Sequence, residues 1–97
     1  MSVSITRLLV DALKPRETSI LDLSQALCSV KGVEEVEAVV SEVDVKTETI
    51  KITIKGPNIN YRDLTKVMDE HGVAVKGVDE VRIVKAKLPQ RLLPKET

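Results

Sequence analysis

Residues 48–55 read ETIKITIK. In an extended chain Ile50, Ile52 and Ile54 share one side, and Thr49, Lys51, Thr53 and Lys55 the other. A 3.6-residue helical period would scatter the three isoleucines around the axis, so the pattern demands a strand with one dry face and one wet face. Such a strand needs neighbours to pair with and a layer to cover its isoleucines. The rest of the chain must provide both.

The neighbours are read from apolar runs and turn signals. A strand from about Glu35 to Val45 precedes the isoleucines. A short loop at 46–49 would pair Val45 with Ile50 and Val43 with Ile52. Val39, Val43 and Val45 then join the isoleucine face, while Val36, Ala38 and Val40 point away. Gly56-Pro57-Asn58 ends the hairpin. A first strand, Val3 to Leu13, stops at Lys14-Pro15, with Leu8, Val10 and Ala12 on one face and Ile5 and Leu9 on the other. A last strand, about Val73 to Ala86, is interrupted near Lys76-Gly77, where the glycine marks a bulge or bend.

Two helices supply the cover. Ser19 caps the first, with Asp22 in capping-box spacing, and Ile20, Leu23, Leu27 and Val30 form one stripe ending at Gly32. Asn60 caps the second, with Asp63 three residues on, and Tyr61, Leu64, Met68 and His71 share a stripe ending at Gly72. The order β-α-β-β-α-β is a strand-helix-strand unit used twice. It predicts an α+β, ferredoxin-like fold: a four-stranded antiparallel sheet in order 4-1-3-2 with two helices on one face. The domain spans residues 1–87, followed by an irregular tail at 88–97 that holds two prolines. The near-repeat KGVEEV (31–36) and KGVDEV (76–81) does not mark this internal duplication. Gly32 closes a helix, whereas Gly77 lies inside a strand.

Composition excludes several functions. With 97 residues the chain is one small domain, which gains from a partner subunit because it buries little of its own surface. Fifteen basic and fifteen acidic side chains cancel, and Tyr61 is the sole aromatic. Neither a field nor a stacking platform for nucleic acid exists, so nucleic acid is an unlikely partner. No apolar run approaches the ~20 residues that cross a bilayer. The lone Cys28 fits a reducing cytosol, and a charged fraction of 31% fits a thermophile.

Few side chains suggest chemistry. Cys28, beside the first helix stripe, reads as a small buried hydrophobe. The loop KPRETS lacks both the CxxC of heavy-metal-associated domains and the glycines of a phosphate cradle, so Arg16 there reads as solvated. His71, the one histidine, sits where its charge would favour the helix dipole. Carboxylates are the remaining candidates. Pairing the first and last strands antiparallel places Asp11 near Val78 and Asp79. Asp11, Asp79 and Glu80 would then converge on a hard cation, Ca²⁺ or Mg²⁺. The competing reading is separate solvated or ion-paired carboxylates.

Zero net charge also hides a split. Residues 34–48 hold six acids and one base, and residues 82–97 hold five bases and one acid. In the expected order these are the two opposite sheet edges. Glu35, Glu37 and Glu42 on one edge, with Arg82, Lys85, Lys87 and Arg91 on the other, suit a head-to-tail contact between copies. The second sheet face and the tail leucines, Leu92 and Leu93 among them, also need a covering surface. A homo-oligomer is therefore expected.

LLVDALKP (8–15), KGVEEV (31–36), ETIKITIKG (48–56) and VDEV (78–81) occur in an order that resembles an archaeal family of uncharacterised proteins, domain of unknown function 211. The resemblance covers nearly the whole chain. It implies the same fold and rings of about six or seven subunits, with no established activity. Two functional classes follow. One is a non-enzymatic assembly or regulatory module that binds a cation or small ligand between subunits. The alternative is a metal-assisted enzyme with an interfacial carboxylate site.

Overall fold

The structure is a computed structural model and describes residues 3–85. Lys87, Arg91, Leu92 and Leu93, the domain boundary at 87 and the tail lie outside those residues. The elements are β1 (Val3–Pro15), α1 (Ile20–Cys28), β2 (Glu35–Val43), β3 (Thr47–Lys55), α2 (Tyr61–Glu70) and β4 (Ala74–Lys85). The sheet runs β2-β3-β1-β4, antiparallel at every pair, as the order of elements predicts.

Each helix starts at its expected cap, Ser19 and Asn60. Ser19 Oγ accepts from Asp22 N at 3.1 Å, and Asn60 Oδ1 accepts from Asp63 N at 3.1 Å. α2 ends on a glycine with left-handed backbone, Gly72 at φ +73°, whereas α1 ends earlier than expected, at Cys28 with Ser29 as its C-cap, and Gly32 at φ +87° lies in the turn that follows. Gly32 is required twice over, because a Cβ there would lie 1.8 Å from the Asn58 carbonyl oxygen. That close approach joins the exit of α1 to the loop leaving β3. Leu23 and Leu27 of α1 and Leu64 and Met68 of α2 pack on Leu8, Val10, Ala12, Ile50, Ile52 and Ile54 in one buried cluster. Both helices thus cover the isoleucine face.

Three local expectations need correction. The β2–β3 turn is tighter than expected: Asp44 N donates to Thr47 O at 2.8 Å, and Val43 faces Glu48. Relative to the expected pairing the register is displaced by four residues at the turn, with Val43 opposite Glu48 instead of Ile52, and by five beyond a bulge at Ser41; the odd displacement exchanges the two faces. Val36, Ala38 and Val40 therefore lie opposite Ile54, Ile52 and Ile50, while Val39 lies opposite Lys51 on the outer face. Val45, expected to be a strand residue, is 80% exposed in the turn.

Second, Ile5 packs against the core rather than on the far face. An extra β1 residue, Thr6, intervenes between the pairs Ile5–Ile83 and Arg7–Arg82, and such a bulge reverses side-chain alternation. Third, Cys28 is exposed, because it lies off the stripe defined by Leu23 and Leu27. The irregularity near Lys76-Gly77 is present: the β1–β4 register shifts between the pairs Leu9–Glu80 and Val10–Val78, and again between Asp11–Gly77 and Ala12–Val75.

Candidate functional site

The outer face of the sheet carries the carboxylates singled out from sequence. Asp11 lies opposite Lys51 on one side and Gly77 on the other, one to two residues from the expected partners. The bulge on β4 brings Asp79 over the same lysine. Lys51 Nζ stands 3.2 Å from Asp79 Oδ2 and 3.4 Å from Asp11 Oδ1. Asp11 Oδ1 is buried and accepts no well-aligned hydrogen bond, so its link to Lys51 is charge attraction at ion-pair range. The Asp79 hydrogen bond raises the Lys51 pKa above the ordinary lysine value. Desolvation opposes that rise, and Asp11 adds to it.

Glu80 leaves this group and pairs with Arg7. Thus two of the three expected ligands converge, and the cation between them is an ammonium from the protein itself. Among the described residues no group of three or more His, Cys, Asp or Glu side chains is placed to hold a metal ion. The missing partner was legible: Lys51 faces outward in ETIKITIK, and the order 4-1-3-2 puts β3 beside β1.

Lys55 and Glu35 make a looser pair at 3.7 Å. The outer face is accordingly a lattice of opposite charges around half-buried Leu9 and Leu13. It is not the apolar face that the mistaken hairpin register implied.

Other candidates have structural employment. His71 Nδ1 lies 2.8 Å from Val67 O, and His71 O accepts from Thr18 Oγ1 at 3.2 Å. Arg16 N donates to Lys46 O at 3.0 Å, which ties the first loop to the β2–β3 turn. Lys14, which no sequence motif marks, is the one buried charged residue among those described. Its Nζ reaches Glu48 Oε1 at 2.8 Å and the carbonyls of Pro15 at 2.9 Å and Thr18 at 2.5 Å. It staples the end of β1 to β3 and to the loop before α1.

The two sheet edges remain without partners among the described residues. The β2 edge exposes Val39, Val40 and Val43 beside Glu35, Glu37 and Glu42. The β4 edge exposes Val78, Val81, Ile83 and Val84 beside Arg82 and Lys85. Val78, Val81 and Ile83 lie opposite Val10, Leu8 and Ile5, so all three face the helix side of the sheet. Contiguous apolar side chains on an open edge are what a sheet normally covers, shortens or charges.

The fold and its open edges define a small ferredoxin-like α+β domain. The comparisons place it further. The chain belongs to the uncharacterised ArCR family, domain of unknown function 211, whose profile matches residues 6–93. It is 34% identical over 77 residues to the uncharacterised protein MJ0319 of Methanocaldococcus jannaschii, which covers 79% of each chain. No helix among the described residues is long and apolar enough to cross a membrane.

Proposed function

We propose that this protein is a non-enzymatic assembly or regulatory module that works as a homo-oligomer. The observation that carries this reading is the pair of open edges: both ends of one sheet expose valines and isoleucines, and their free charges are of opposite sign. A self-complementary pair of edges adds copies head to tail, and a constant rotation between copies closes the chain of subunits into a ring. The family resemblance favours six or seven copies.

The outer-face ion pairs support the same reading. Asp11, Asp79 and Glu80 are already matched by Lys51 and Arg7, so they serve the sheet before they serve a substrate. Light scattering at micromolar concentration tests the proposal. A mass of several subunits is expected, and a monomer would overturn it. Reversing Lys85, Lys87 and Arg91 to Glu should lower that mass.

A further inference from the structure

The exposed edges differ in detail, and the detail selects a register. In the order β2-β3-β1-β4, with every neighbour antiparallel, β2 and β4 run in opposite directions. A second copy placed beside β4, helices on the same side, therefore offers its β2 antiparallel to β4 without any turn of the sheet. Side-chain parity then restricts the pairing, because one residue of slip would set apolar against polar. On the helix side stand Val36, Ala38 and Val40 of β2, opposite the core isoleucines, and Val78, Val81 and Ile83 of β4.

Among the registers of that parity, two bring Val36 opposite Val81 or Ile83. In the level one, Val36 meets Val81 and Glu35, already paired with Lys55, meets Arg82, but Glu37 meets Glu80, a like-charge pair. In the other, staggered by two residues, Val36 meets Ile83, Ala38 meets Val81 and, across the Asp79 bulge, Val40 meets Val78. That register sets Glu37 against Arg82 and Glu34 against Lys85. Cross-strand pairs of opposite charge favour a register and like charges disfavour one. Arg82 has no acidic partner among the described residues, whereas Glu80 is already held by Arg7. A stagger repeated at each contact also tilts the strands, as a closed sheet requires.

We infer that a second copy of this chain docks its β2 edge on β4 in the staggered register, with Glu37 of one copy facing Arg82 of the next. The inference rests on the homo-oligomer reading and specifies its contact surface. Within one chain these two residues lie on opposite edges, separated by three strand spacings of about 4.8 Å each, too far for a disulfide. A bond between cysteines at these positions can therefore form only between copies.

The test uses Cys28→Ser as background. It compares Glu37→Cys/Arg82→Cys with Glu37→Cys/Glu80→Cys under air oxidation with a copper–phenanthroline catalyst, read on non-reducing gels. Covalent ladders in the first variant and few in the second are expected. The reverse pattern would overturn the stagger. No ladder in either variant, with an oligomeric mass by light scattering, would overturn the edge contact while leaving the oligomer intact. A monomeric mass for the unmodified chain would overturn the oligomer reading as well. Charge exchange supplies a check without cysteines. Glu37→Arg and Arg82→Glu should each lower the mass, and the double variant should restore it. Failure of that rescue would count against the pair.

Discussion

Replacing Lys14 by methionine tests the part of the fold that the sequence concealed. Methionine keeps the length and apolar stem of the side chain but removes the ammonium. Three partners lose their donor: Glu48 Oε1 at 2.8 Å, Pro15 O at 2.9 Å and Thr18 O at 2.5 Å. Breaking a buried ion pair from one side costs about 3–5 kcal/mol, because the other charge is left unmatched. The Glu48 side chain keeps 20% of its exposure, so water recovers part of that loss. Each carbonyl left without its donor adds about 1 kcal/mol. The expected loss is about 3 kcal/mol, a large share of the ~5–15 kcal/mol that holds a typical domain. For a domain of this size that lowers Tm by more than about 10 °C. Urea unfolding and calorimetry at one fixed protein concentration give the value, since assembly makes Tm concentration-dependent. The double variant Lys14→Met/Glu48→Gln should recover part of the loss, because no unmatched carboxylate remains. A loss under ~1 kcal/mol for Lys14→Met would refute the reasoning, since it would place the ammonium in water.

Other outcomes follow from the same geometry. Lys51→Met should destabilise the sheet at neutral pH by removing the cation shared by Asp11 and Asp79. The Lys51 pKa is raised on folding, so its stabilisation is fully present below the ordinary lysine value of about 10.4 and fades as pH rises through the higher folded value. The stability gap between the native chain and Lys51→Met should therefore be flat near neutrality and narrow above about pH 10.4; a gap that already closes between about pH 7 and 9 would contradict this. Gly32→Ala should cost more than the ~1–2 kcal/mol of a left-handed non-glycine residue, because the added Cβ also collides with Asn58 O. Equal stability by urea titration would disprove the close approach. Cys28 should react with a thiol reagent in the folded chain without prior unfolding, as its exposure requires.

Element order was legible because each signal has a local cause. The alternation in 48–55, the Ser19 and Asn60 caps and the Gly32 and Gly72 exits each act within a few residues. Register was less legible because it depends on turn geometry. Asp44 closes the hairpin through its backbone N–H to Thr47, and its Oδ1 accepts from Val45 N at 2.7 Å. That turn displaces the pairing by four residues, and a bulge at Ser41 adds one more, which puts Val36, Ala38 and Val40 on the core side. The Thr6 bulge likewise leaves no compositional trace, yet it decides where Ile5 points. For the carboxylate group, the pairing of β1 with β4 brings Asp11 near Asp79, while the place of Lys51 between them follows from the β1–β3 register, in which it lies opposite Asp11. Lys14 was hidden because Lys-Pro reads as a strand terminator, and nothing local announces that Glu48 waits opposite it.

The central claim is that both edges of this sheet are covered by copies of the same chain. Amide hydrogen exchange tests it most directly, on the assembled protein at micromolar concentration. Backbone amides of residues 36–40 and 78–83 whose N–H groups point away from β3 and β1 have no partner inside one chain. The account predicts slow exchange there, turning fast when Arg82→Glu separates the copies. Fast exchange along both edges of the unmodified protein would contradict it.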